Sequence, residues 1–285
     1  MKGALLLSLA LAVCFFKAEF PAASPRATAQ SQPPQGQSAP AFYQKAVALF
    51  QQRQYEQSLA ALDEALKLDP RLIPALTLKA RVAMAANRFD IAKASLSQAV
   101  EVGPDVAYNH FLLGFCYYVD NDFKNALPPL ERSRQLKPDD ARTHFYIALT
   151  LEALARVDDA VASYEQSLKL EKDGGAILAD TLVAYARLLF TLGRYSESEA
   201  LIDRALAAAP DSRDAQYEKG RLSFERRAYA EAIVHGKKAL ELPGAGATER
   251  QIHFLLAKAY SKSGQKELAE IHLAKFRAAP PTLRR

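Results

Sequence analysis

The sequence predicts an all-α protein, an α-solenoid of about seven antiparallel helix pairs. Three observations predict it. Segments end alike in LKLDP at Pro70, VEVGP at Pro104 and RQLKP at Pro138, so a proline recurs after 34 residues and again after 34. Each period holds two stretches with apolar residues at three-to-four spacing, as amphipathic helices require. A turn cluster separates the two stretches, as in Asp120-Asn121-Asp122. Two short helices joined this way cannot bury their faces alone, and stacking on neighbouring pairs buries them. Later prolines keep the count with small insertions: Pro210 lies 72 residues beyond Pro138, and Pro281 another 71.

Residues 1–29 read as a secretory signal peptide. Lys2 precedes an apolar run from Gly3 to Phe16. As a helix that run rises about 21 Å, short of a ~30 Å hydrocarbon core. Ala27-Thr28-Ala29 supplies a small-x-small cleavage site and leaves Gln30 as the mature start. The stretch from Phe16 to that site is long for a cleavage region, and an uncleaved anchor is the alternative. Leu11-Ala12-Val13-Cys14 is close to a bacterial lipobox, but Val13 stands where Gly, Ala or Ser is wanted. Cys14 is therefore read as part of the apolar segment, with lipidation as the lesser reading. Once Cys14 is removed, Cys116 has no disulfide partner and reads as a small buried hydrophobe. Residues 30–38, rich in Gln, Pro and Ser, form a linker.

The array proper covers residues 39–283, with units starting near 39, 73, 107, 141, 179, 213 and 250. Turns between paired helices fall at Arg53-Gln54, Asn87-Arg88, Gly193-Arg194 and Gly264-Gln265. The eighth position of every unit is small: Ala46, Ala80, Gly114, Ala148, Ala186, Gly220 and Ala257. A second small position opens the second helix, at Ser58, Ala92, Ala126, Ala160, Ser198, Ala232 and Ala269. An aromatic precedes it at Tyr55, Phe89, Phe123, Tyr195 and Tyr229, while Val157 and Lys266 depart. Lys172 stands where the fourth unit's proline is expected, and Gly236 where a large apolar residue is usual. Pro128-Pro129, early in a second helix, are expected to distort it only locally. On these residues the chain resembles the tetratricopeptide repeat family, which implies a right-handed superhelix.

Composition narrows the function. With 49% hydrophobic residues the chain offsets its ordering entropy, so disorder is excluded as its main state. The net charge of +5 is scattered among acids with no basic run, which argues against nucleic acid. No HExxH, GxSxG, GxxxxGK[ST] or CxxC occurs, and no enzyme or cofactor is predicted. Gly244-Ala245-Gly246 reads as a connector. His110, His144 and His253 recur at one unit position, where a packing role is expected and metal ligation is not.

The resemblance also implies where a partner binds. In the family, positions 2, 5, 9, 12 and 13 of each unit face a concave groove. Here they supply Tyr43, Phe50, Arg81, Tyr108, Phe111, Phe115, Tyr118, Phe145, Arg187, Phe190, Tyr217, Arg221, Phe224, Phe254 and Lys258. Rings and arginines dominate protein interfaces, and the alternative for any ring is packing between adjacent first helices. The four cations at position 9, Arg81, Arg187, Arg221 and Lys258, suit a protein or peptide carrying acidic groups. Replacing Arg187 and Arg221 by Glu is expected to leave stability near wild type, as at exposed sites. Some family members bind acidic chaperone tails through Lys and Asn at positions 5 and 9 of their first unit. Tyr43 and Val47 stand there, so that activity does not carry over.

The expected function is a non-enzymatic interaction scaffold, exported to the periplasm or beyond. The alternatives are a membrane-held envelope or pilus assembly factor, tied by an uncleaved signal or a lipid, and a recognition module serving an enzyme in trans.

Overall fold

The computed structural model describes residues 38–171, 177–244 and 246–279. The signal segment, the linker to residue 37, Cys14, Lys172, Ala245 and Pro281 lie outside the described residues. Fourteen helices in consecutive antiparallel pairs make up the fold among the described residues. In order they are α1 (Ala39–Gln51), α2 (Tyr55–Leu68), α3 (Ile73–Ala85), α4 (Phe89–Val102), α5 (Ala107–Val119), α6 (Phe123–Leu136) and α7 (Ala141–Ala153). They continue as α8 (Val157–Leu170), α9 (Leu178–Thr191), α10 (Tyr195–Ala208), α11 (Arg213–Glu225), α12 (Tyr229–Glu241), α13 (Glu249–Lys262) and α14 (Lys266–Ala278). The chain divides into two compact units, residues 13–150 and residues 151–285.

One backbone device closes the first helix of every pair. Arg53, Asn87, Asn121, Ala155, Gly193, Arg227 and Gly264 all adopt a positive φ between 58° and 82°. All seven occupy the fifteenth position of their repeat. This left-handed residue ends the helix and turns the chain back. Gly and Asn adopt it readily, whereas Arg53, Ala155 and Arg227 do so at a cost of about 1–2 kcal/mol each. Their recurrence shows that the tight turn, not the local preference, decides the conformation.

The small residues then let the paired helices touch. Ser58 Oγ donates to the Ala46 carbonyl at 2.8 Å, and Ser198 Oγ to that of Ala186 at 2.7 Å, so the two small positions meet directly. At Gly114 a Cβ would stand 2.5 Å from Leu130 Cγ and 3.0 Å from the Ala126 carbonyl oxygen. Gly114→Leu is therefore expected to lower stability by ~1–3 kcal/mol through overpacking. Urea denaturation followed by helical circular dichroism checks this, and an unchanged midpoint would disprove the contact.

Helix α6 runs unbroken through Pro128 and Pro129. The prolines deprive the carbonyls of Lys124 and Asn125 of their helical donors, and both those residues are exposed to water. Cys116 is fully buried, and burial pushes its thiol up to about 12. Around residue 245 the neighbouring backbone is held by side chains of α11. Arg213 donates to the Gly244 carbonyl at 3.0 Å, and Asp214 accepts the Ala247 amide. A Cβ on Gly246 would stand 1.8 Å from Asp214 Oδ2, so a larger residue there would push this carboxylate away from the Ala247 amide.

Candidate functional site

The recurring histidines bond backbone. His110 Nε2 lies 2.8 Å from the Pro104 carbonyl oxygen, and His144 Nε2 lies 2.9 Å from that of Pro138. Gln216, at the same repeat position, donates to the Pro210 carbonyl at 3.0 Å. Position four thus ties each of these first helices to the proline that ends the preceding pair. His253 departs from the pattern. Its Nδ1 faces His272 Nδ1 at 3.0 Å across α13 and α14, and burial holds both imidazoles below the usual histidine range. Among the described residues no group of three His, Cys, Asp or Glu converges on a metal position. No described helix is long and apolar enough to cross a membrane.

Within residues 38–150 the structure corrects part of the sequence expectation. Phe111, Tyr118 and Phe145 are buried, at 5%, 9% and 3% exposure, so they pack and do not face a partner. They gather around Tyr146, which the sequence reading passed over. Its ring centroid lies 5.6 Å from Phe111, 5.1 Å from Phe115, 5.6 Å from Tyr118 and 5.2 Å from Phe145. Four near-perpendicular contacts bring ring edges onto ring faces, the arrangement that aromatic quadrupoles favour. Arg142 lies 4.8 Å above Phe111. Phe115 remains half-buried and Tyr108 is exposed. Tyr43 is half-buried, and burial raises its phenol pKa against the pull of Arg81.

The rings at position twelve have a structural part as well. Each leans on the aromatic that opens its own second helix: Phe50 on Tyr55, Tyr118 on Phe123, Phe190 on Tyr195 and Phe224 on Tyr229. The position-nine cation of the next pair then covers the ring. Arg81 lies 5.7 Å from the Phe50 centroid, Arg221 lies 4.1 Å from Phe190, and Lys258 lies 4.3 Å from Phe224. Such contacts contribute about 0.5–2 kcal/mol, more where water is excluded. These three cations are therefore partly staples between successive pairs.

Arg187 keeps the pattern with a carboxylate in place of the ring. Its predecessor at position twelve is Glu152, which attracts it electrostatically without forming a close ion pair. Burial raises the Glu152 carboxyl, while Tyr164 Oη, donating at 2.9 Å, and Arg187 pull it back. Arg187 also acts on Glu218, which is 4% exposed. Arg221 donates to Glu218 Oε2 at 2.6 Å. Burial nonetheless raises the Glu218 carboxyl on balance, against the pull of Arg221 and Arg187. Arg187 Nε is itself buried without a hydrogen-bond partner. Residues 151–279 thus hold a compact ionic cluster on their first helices, made of Arg187, Glu218 and Arg221 beside Tyr217. The sequence reading missed Glu218, although its spacing three residues before Arg221 is a helical ion-pair signature.

A stack of helix pairs presenting rings and cations along its first helices defines a repeat scaffold for binding protein. Comparison with known sequences gives the same class. Models of the tetratricopeptide repeat match residues 39–72, 77–141 and 183–249, together more than half of the chain. The chain belongs to the tetratricopeptide repeat family, a protein–protein interaction module. No curated protein matches it.

Solved structures share the fold. A tetratricopeptide repeat protein from Parabacteroides merdae aligns with a TM-score of 0.68 at 14% identity, over 86% of this chain and 94% of that one. Pseudomonas aeruginosa PilF gives 0.61 at 19% identity, over 71% and 90%. YrrB, described as a TPR protein with an unusual peptide-binding site, gives 0.54 at 22% identity, over 62% and 89%.

Proposed function

We propose that the protein is an exported, non-enzymatic scaffold of the bacterial envelope whose first helices hold an extended or helical segment of a partner protein. The observation that carries this is what the first helices present within each unit. Tyr108 remains 39% exposed in residues 38–150 and Phe254 45% exposed in residues 151–279, while the neighbouring position-twelve rings of each are fixed by packing. Large exposed rings held by a rigid backdrop are what interface anchors require. The peptide-binding site named for YrrB is in keeping with this reading. Export rests on the residue 1–29 pattern. The long stretch between Phe16 and Ala27 favours, as a second reading, a scaffold that stays tethered to the membrane.

Site-specific photocrosslinking tests the binding face. A crosslinking amino acid at Tyr108 is expected to capture one discrete partner in cells, and the same group at Leu68, an exposed residue of α2, is not. Equal capture from both positions, or none from Tyr108, would move the binding surface elsewhere. Mass spectrometry of the mature protein tests export, with Gln30 expected at the N-terminus. A full-length N-terminus in the membrane fraction would select the tethered form.

A further inference from the structure

Lys and Arg are scattered along the chain, but beyond residue 29 their excess over Asp and Glu lies after residue 248. Residues 30–248 hold 26 Lys and Arg against 28 Asp and Glu, whereas residues 249–279 hold six against three. Elsewhere many cations are neutralised, as Lys219 is by Glu199 and Asp203, and Arg226 by Glu199. In the last pair Arg250, Lys258, Lys262, Lys266, Lys275 and Arg277 have no carboxylate at ion-pairing distance among the described residues.

Two of these cations are ordered over rings. Lys258 Nζ lies 4.3 Å from the Phe224 centroid and 5.6 Å from that of Phe254. Arg250 Cζ lies 4.6 Å from Phe276, whose ring centre is 5.0 Å from Phe254. Arg250, Phe254 and Lys258 follow one another at four-residue steps, so they share one side of α13. A ring that stays 45% exposed thus sits between two cations lacking counter-charges. Acidic groups complement the cations, and apolar groups complement the ring.

We infer that α11, α13 and α14 form a docking face for an extended acidic segment with an apolar residue between two carboxylates. The spacing supports the pattern. Eight residues of helix separate Arg250 from Lys258, a rise of about 12 Å. In an extended strand, residues i, i+2 and i+4 line one face, and the outer two stand about 13 Å apart. The recognised segment therefore reads acid-x-apolar-x-acid, with one carboxylate on Arg250, the other on Lys258, and the apolar side chain on Phe254. This deepens the interaction reading above and rests on it.

The test uses the full chain and a fluorescein-labelled peptide containing Glu-Ser-Leu-Ser-Glu, read by fluorescence anisotropy. Saturable binding that weakens with added salt is expected, as for contacts between partly exposed charges. A peptide with Gln for both Glu, and one with Ser for Leu, should each bind at least about tenfold more weakly. Lys258→Glu should do the same, and Lys258→Gln should lie between it and wild type. Lys258 is exposed and its replacement gives up only the contacts with Phe224 and Phe254, so the fold is expected to persist, and unchanged helical circular dichroism verifies that. Equal binding of the Gln peptide, or indifference to Lys258→Glu, overturns the inference. So does sedimentation with phosphatidylglycerol vesicles that Lys258→Glu abolishes while the peptide fails to bind, since the face would then meet lipid. Discrete crosslinking from Tyr108 alongside failed peptide binding would remove this inference alone and leave the scaffold function standing.

Discussion

Arg221→Glu is expected to destabilise the protein by about 3–5 kcal/mol, the range for breaking one partner out of a buried ion pair. The place of Arg221 at position nine predicts a surface cation whose reversal leaves stability near wild type. Its surroundings say otherwise. The guanidinium donates to Glu218 at 2.6 Å and lies 4.1 Å over Phe190, while Glu218 is almost wholly buried. Reversal removes the counter-charge and places a second carboxylate one turn along the same helix. The pH dependence identifies the mechanism. Glu218 already binds its proton more tightly folded than unfolded, and a neighbouring carboxylate strengthens that preference. A folded-state pKa raised in this way gives stability that is present in acid and lost as pH rises through the shifted range. The deficit of Arg221→Glu should therefore shrink in mild acid and grow toward neutral pH. Urea midpoints at several pH values read it out. A deficit below about 1 kcal/mol at neutral pH would show that the pair contributes no more than exposed ones do.

Much of the architecture is legible because repetition multiplies weak signals. One alanine at an eighth position says little, but the seven positions from Ala46 to Ala257 in register with Pro70, Pro104 and Pro138 specify close helix contacts at a fixed period. The turns are legible where Asn or Gly carries them. At Arg53 the repeat period places the turn, and at Ala155 and Arg227 it is hidden, because backbone closure overrides local preference at all three. The candidate face is harder to read. Sequence position places Phe115 and Phe111 on the same stripe, yet one is half-buried and the other is packed away. Burial depends on what the neighbouring pair brings, and Tyr146 comes from a different repeat. The cations are ambiguous for the same reason. Position nine names Arg81, Arg187, Arg221 and Lys258, but only the preceding pair's ring or carboxylate decides whether each staples the array.

That difference between packing and presentation is sharpest at Tyr146. Tyr146→Ala is expected to cost about 3–5 kcal/mol, as truncation of a core aromatic does. The ring is only half-buried, but it makes edge-on contact with Phe111, Phe115, Tyr118 and Phe145 at once. Each such pair contributes about 0.5–1.5 kcal/mol beyond the area it buries. Removing the shared partner also leaves a cavity that four large rings cannot jointly collapse to fill. Phe115→Ala deletes a ring that touches Tyr146 and Phe111 alone within this group, so its effect should be clearly smaller. Denaturation followed by helical circular dichroism, run on both variants, gives the ordering. If Phe115→Ala proved the more damaging, the cluster would be organised around α5 and not around the shared ring of α7. The expected order, Tyr146 well ahead of Phe115, assigns the shared ring to holding helices together. It leaves Phe115 and Tyr108 as the rings of the candidate stripe in residues 107–119 that keep exposed surface for a bound segment.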